Sequence, residues 1–183
     1  MTHGAGSNMQ APLLVRMADA LEAAGYLVLR YDLPFRCQRP KGPPFPAQAL
    51  RDREGIVEAV NALRHITKGR VFAGGHSYGG RQSAMAAAER AGMAGALLLL
   101  SYPLHPPGKP DRMRTAFFGD LRIPVLFVHG TADPFGSLEE LRAAMALIPA
   151  PTDLLAVEGA GHDLKRAADL SADVLARLHR LVG

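Results

Sequence analysis

A chain of 183 residues, 48% of them apolar and 21% charged, is long enough to bury one core and too short for two complete domains. Residues 1–183 therefore read as a single globular domain, and the composition excludes the fibrous, low-complexity and disordered classes. The formal net charge of +4 comes from scattered arginines with no basic stripe of interleaved aromatics, which argues against a nucleic-acid partner.

The one cysteine, Cys37, can form neither an internal disulfide nor a metal-ligand cluster and reads as a structural thiol in a reducing compartment. Met1 to Gln10 lack the charged and apolar regions of a secretory signal, and no apolar run approaches the roughly 18 residues of a membrane span. The expectation is a cytoplasmic protein with no membrane contact, no metal and no cofactor.

In chain order, apolar residues at Leu13, Leu14, Met17, Ala18, Leu21 and Ala24 predict a helix over Pro12–Ala24, stopped by Gly25. Tyr26–Tyr31 reads as a short strand and the Pro- and Arg-rich stretch Asp32–Ala47 as a loop. Ile56, Val57, Val60, Leu63 and Ile66 mark a second amphipathic helix. Val71–Ala73 then runs into the cluster Gly74-Gly75-His76-Ser77-Tyr78-Gly79-Gly80, followed by the alanine-rich helix Gln82–Ala91. Beyond lie strands at Ala96–Leu100, Pro124–Val128 and Leu154–Val157, a helix Leu138–Leu147, a loop Tyr102–Arg122 and a last helix from about Lys165 to Leu181. This alternation predicts an α/β fold with a mostly parallel sheet covered on both faces.

Gly75-His76-Ser77-Tyr78-Gly79 fits G-x-S-x-G, a sharp strand-to-helix turn that pushes a serine out above the sheet, with glycines where a Cβ would collide with backbone. Such a serine needs a base and an acid, which this arrangement supplies in the chain order Ser, Asp, His. Asp133 follows the strand of Val128, and His162 follows Gly159-Ala160-Gly161 after the next strand, both where catalytic groups of open α/β sheets collect. Glu158 is a rival acid. His76, His105 and His129 are expected to brace backbone, and His65 and His179 to lie on solvated helix faces. Oxyanion donors are expected from the backbone amides of Tyr78 and of Ala5, in Thr2-His3-Gly4-Ala5-Gly6. Neither glycine cluster satisfies a dinucleotide or phosphate-loop pattern.

These segments, with Ser101-Tyr102-Pro103-Leu104-His105-Pro106-Pro107-Gly108-Lys109-Pro110, Pro124–Val128 and Asp133-Pro134-Phe135-Gly136, resemble a family of small predicted α/β-hydrolases. That family is related to dienelactone hydrolases and to the hydrolase-like domain of a chromatin-complex subunit. The resemblance covers nearly the whole chain and implies an α/β-hydrolase fold with a triad at Ser77, Asp133 and His162. Around the serine the chain departs from many relatives, with His76 and Tyr78 in place of a basic residue and a methionine, as in ordinary esterases.

A second departure concerns the sheet. The oxyanion loop should follow a central strand, yet only Met1 and Thr2 precede His3, so N-terminal strands are missing from the pattern. Three routes repair the sheet: a natural start further upstream, direct pairing of the Tyr26 strand with the Val71 strand, or a second subunit, as in a homodimer. For this chain, direct pairing or association is expected. The function expected is cleavage of small carboxylic esters through an acyl-enzyme at an open site without a lid; the alternative is a non-catalytic interaction module that keeps the fold.

Overall fold

The computed structural model describes residues 1–165 and 170–183. Its helices are α1 (Pro12–Ala23), α2 (Pro34–Gln38), α3 (Ala49–Ile66), α4 (Tyr78–Glu89), α5 (Leu138–Met145) and α6 (Ser171–Val182). Its strands are β1 (Ala73–His76), β2 (Leu97–Leu100), β3 (Val125–Gly130) and β4 (Thr152–Val157), all parallel and ordered β1-β2-β3-β4. The expected start of the last helix, just after Lys165, falls on residues 166–169, which lie outside the described residues.

The side-chain period of two divides the sheet into two cores. Leu97, Leu99, Val125 and Phe127 face the layer that holds α3, α4 and α5, whereas Leu98, Leu100, Leu126 and Val128 face α1 and α6. Every residue of β2 and β3 is buried, as a parallel strand covered on both sides requires. Each such leucine contributes about 2 kcal/mol of burial. α5 is closed by a reciprocal cap, in which Ser137 Oγ accepts from Glu140 N–H at 3.1 Å and the Glu140 carboxylate accepts from Ser137 N–H at 2.8 Å.

The N-terminal region corrects the expectation of direct pairing. Tyr26–Tyr31 forms no strand of the sheet. Met1 and Thr2 lie between this segment and β1. The Met1 nitrogen donates to Leu29 O at 2.6 Å and Tyr31 N–H to Met1 O at 3.4 Å, while Thr2 N–H donates to Gly74 O at 3.1 Å and His76 N–H to Thr2 O at 3.0 Å. These bonds use the β1 groups that direct pairing would have needed. Beyond Met1 the two segments part around a cavity of about 340 Å³ lined by Tyr26, Val28, Val71 and Phe72 among others.

Two further readings change. The Asp32–Ala47 loop contains α2, with Phe35 and Arg36 buried. Cys37, read as structural, is an exposed free thiol on that helix.

Candidate active site

β1 delivers its last residue, His76, straight into Ser77, and α4 begins at Tyr78. Ser77 has φ 50° and ψ −114°, an unfavourable conformation that the elbow imposes and the surrounding bonds hold. Its N–H donates to Leu100 O at 2.8 Å, anchoring the turn to β2. The glycines are needed for close approach: a Cβ on Gly79 would lie 2.6 Å from His3 O, and one on Gly80 2.7 Å from Gly75 O.

The loop after β3 carries Asp133 and the loop after β4 carries His162. Ala132 N–H donates to Ala160 O at 2.9 Å and so ties the two loops together. His162 Nδ1 lies 2.8 and 3.0 Å from the Asp133 carboxylate oxygens, and His162 Nε2 lies 2.8 Å from Ser77 Oγ. With Nδ1–H donating to Asp133, Nε2 is free to accept from the serine. The Asp133 side chain is fully buried, and it also accepts from Phe135 N–H at 2.9 Å. The Phe135 ring lies against the His162 ring at 4.2 Å between centroids. The rival acid, Glu158, points elsewhere, toward Thr131 Oγ1 at 3.5 Å.

The other histidines lie where the sequence reading put them. His76 Nε2 donates to His162 O at 2.8 Å, His105 Nδ1 to Pro106 O at 2.8 Å and His129 Nε2 to Gly136 O at 2.8 Å. Burial pushes the His76 pKa below the ordinary imidazole value. His65 and His179 are exposed.

The Gly4 loop, expected to supply an oxyanion donor, lies against the serine. A Cβ on Gly4 would be 3.5 Å from Ser77 Cβ and 3.0 Å from His76 Nδ1. Gly79 N–H donates to His3 O at 3.1 Å, joining loop and elbow. Among the described residues neither Ala5 N–H nor Tyr78 N–H donates to a backbone carbonyl. Tyr78 opens α4, where amides have no partner within the helix.

Sequence reasoning missed the side chains that hold this loop. His3 is buried and takes Leu33 N–H on Nε2 at 3.1 Å, so its Nδ1 carries the proton given to Gly4 O at 2.8 Å. Because Nε2 is an acceptor there, the 3.4 Å approach of Asp32 to it is no ion pair, and burial lowers the His3 pKa as well. The buried Asp52 of α3 accepts from Phe35 N–H at 3.0 Å and from the Tyr78 hydroxyl at 2.7 Å. Burial, and then that bond, push the Tyr78 phenol up. Arg36 holds four carbonyls, two of them in the loop. His3 and Tyr78 lie in the glycine-rich motifs, but nothing there marks their side chains as braces; no motif flags Arg36, and Asp52 carries only a weak signal, as an acid on the apolar face of a helix.

Among the described residues no group of His, Cys, Asp or Glu is arranged to hold a metal ion, and no helix is long and apolar enough to cross a membrane.

The model of the α/β hydrolase domain family matches residues 1–182. Among solved structures, the chain is similar to Est1E from Butyrivibrio proteoclasticus with ferulic acid bound, at 18% identity and a TM-score of 0.81, covering 99% of this chain and 87% of that one. It is also similar to a monoacylglycerol lipase from Paleococcus ferrophilus, at 17% identity and a TM-score of 0.75, covering 99% and 92%. A dienelactone hydrolase from Anabaena variabilis matches at 22% identity and a TM-score of 0.72, covering 97% and 81%. At these identities the likenesses establish the fold, and the relation to a chromatin-complex subunit finds no counterpart among these three. With all but the last residue matched by the family model, this chain belongs to the α/β hydrolase domain family.

Proposed function

We propose that the protein is a serine hydrolase that cleaves small carboxylic esters through an acyl-enzyme. The observation that carries this reading is the unbroken hydrogen-bonded chain from Ser77 Oγ through His162 to Asp133, with both links at 2.8 Å. Ser77 Oγ attacks the acyl carbon as His162 Nε2 takes its proton, and the buried Asp133 carboxylate stabilises the imidazolium that results. The negative charge that gathers on the acyl oxygen falls to the amides of Ala5 and Tyr78. Collapse expels the alcohol with the proton held on His162. A water, deprotonated by the same imidazole, then releases the acid and restores Ser77.

Only the Tyr102–Arg122 segment links β2 to β3 where a lid could insert, and it packs down, with Tyr102, Leu104, Phe118 and Leu121 buried. The site is therefore open and suits short acyl groups. Neighbours described as a monoacylglycerol lipase and a dienelactone hydrolase fit an ester as the small-molecule substrate. The free thiol of Cys37 fits a reducing, cytoplasmic setting. The close approach of Gly4 to Ser77 puts the expected oxyanion loop beside the serine and weighs against the alternative of a non-catalytic module.

The test is hydrolysis of p-nitrophenyl esters of increasing chain length, followed from the first turnover. Acetate and butyrate esters should turn over with an initial burst and a palmitate ester poorly. No turnover of any ester by folded protein would sink the reading.

A further inference from the structure

The Ala5 amide belongs to the Gly4–Ala5 peptide, so its aim depends on what fixes that peptide plane. One end is held at Gly4 O, which accepts from His3 Nδ1 at 2.8 Å, Ser7 N–H at 3.2 Å and Ser7 Oγ at 3.4 Å. These bonds polarise the peptide and sharpen its N–H as a donor. The next carbonyls turn the other way, into α2. Arg36 Nη2 donates to Ala5 O at 2.8 Å and Arg36 Nε to Ser7 O at 2.8 Å. The rest of the same guanidinium donates to Arg39 O at 2.9 Å and Gly42 O at 3.0 Å.

Arg36 is only 6% exposed, and its four hydrogen-bond acceptors among the described residues are all carbonyls. Burying a charge without a counter-ion is unfavourable unless its donors are fully used. The planar fork reaches carbonyls on two sides at once, which the compact ammonium of a lysine cannot do with its three donors on one atom. A burial needed only for packing would be met more cheaply by an apolar side chain. The arrangement is explained by what it holds, the five-residue loop 3–7 with Ala5 at its centre.

We infer that Arg36 is a positioning residue that anchors the Ala5 and Ser7 carbonyls, just beyond the Gly4–Ala5 peptide, and thereby keeps the Ala5 amide aimed at the developing oxyanion. The inference rests on the reading of Ser77 as nucleophile and of residues 3–7 as its oxyanion loop. Donors of this kind act only in the transition state, so misplacing one lowers kcat and leaves substrate binding nearly unchanged.

The test compares Arg36→Lys with the parent enzyme on p-nitrophenyl acetate and, in parallel, by amide hydrogen exchange. Arg36→Lys should lower kcat about 10- to 100-fold, with KM within about threefold. Affinity for a trifluoromethyl ketone that mimics the tetrahedral intermediate should fall in step with kcat/KM. Exchange of the Ser7 amide, which is bonded to Gly4 O, should quicken about tenfold or more while amides of β2 and β3 keep their protection. Should the lysine variant lose its fold, Arg36→Ala supplemented with methylguanidinium serves instead, with recovery of kcat expected. Arg177→Ala, which removes an ion pair to Asp153 far along α6, should leave kcat as it was. A kcat within twofold of the parent, or a fall in activity that tracks KM alone, would overturn the inference. An inactive parent would sink the ester-hydrolase reading beneath it, whereas loosened exchange at Ser7 beside full activity would refute the positioning role alone.

Discussion

The proposed nucleophile, acid and base, Ser77, Asp133 and His162, stand on the ends of β1, β3 and β4 and are positioned by the parallel ladder and by short turns closed with backbone bonds. The proposed oxyanion loop, residues 3–7, has backbone bonds of its own but is held chiefly by side chains reaching into backbone, His3 and Arg36, with Asp52 fixing the neighbouring Phe35 amide and Tyr78 hydroxyl. One half of the site is built from hydrogen bonds that any residue makes; the other depends on three particular side chains, His3, Arg36 and Asp52. The first is constrained mainly at the glycines of its close approaches, and the second concentrates its vulnerability in a few buried polar groups.

The largest effects belong to the ladder-held half. Ser77→Ala should lower kcat about 10⁶-fold with the fold intact, read in an ester assay beside circular dichroism. Asp133→Asn should cost about 10⁴-fold by allowing the wrong His162 tautomer, again with near-normal stability. An Asp133→Asn variant of undiminished rate would transfer the acid role elsewhere and break the contrast.

The loop-held half should show itself in stability. Asp52→Ala strands the Phe35 amide and the Tyr78 hydroxyl in a buried site and should destabilise by about 2–4 kcal/mol in urea unfolding. A change below about 0.5 kcal/mol would mean that water or a rearranged side chain satisfies both donors.

A smaller, pH-dependent effect follows from His3 and His76, whose folded-state pKa values are lowered by burial. The unfolded chain binds more protons than the folded one once pH falls below about 6.5, the ordinary imidazole value. Their contribution is thus fully present above that pH and is lost on acidification, down to the depressed folded values. The slope should not exceed about 1.4 kcal/mol per pH unit for each histidine. His76→Gln should flatten the fall, measured by urea unfolding between pH 7.5 and 5; an unchanged slope would assign it to other groups.

Least of all should come from Arg177→Ala. Arg177 and Asp153, bonded at 2.8 Å, are each about 30% exposed, so their loss should cost under about 1 kcal/mol.

The same contrast explains what the sequence made legible. The strand-turn-helix context of Ser77, with Gly75, Gly79 and Gly80 at the close approaches, is local and follows from backbone sterics, as do the loops of Asp133 and His162 at strand ends. Arg36 and Asp52 act across 31 and 26 residues of chain, on Ala5 and Tyr78. Nothing local marks them, and the Pro-rich stretch around α2 reads as a loop. The Tyr26–Tyr31 segment has a strand's composition, but its pairing was decided by Met1 and Thr2, whose backbone groups reached Gly74 and His76 first.

The central claim, an activated Ser77, is tested most directly by intact mass after exposure to a fluorophosphonate, run beside Ser77→Ala. A single adduct on the parent and none on the variant is the predicted result. A parent that stays unmodified while fully folded, or a variant that is modified equally, would contradict the claim.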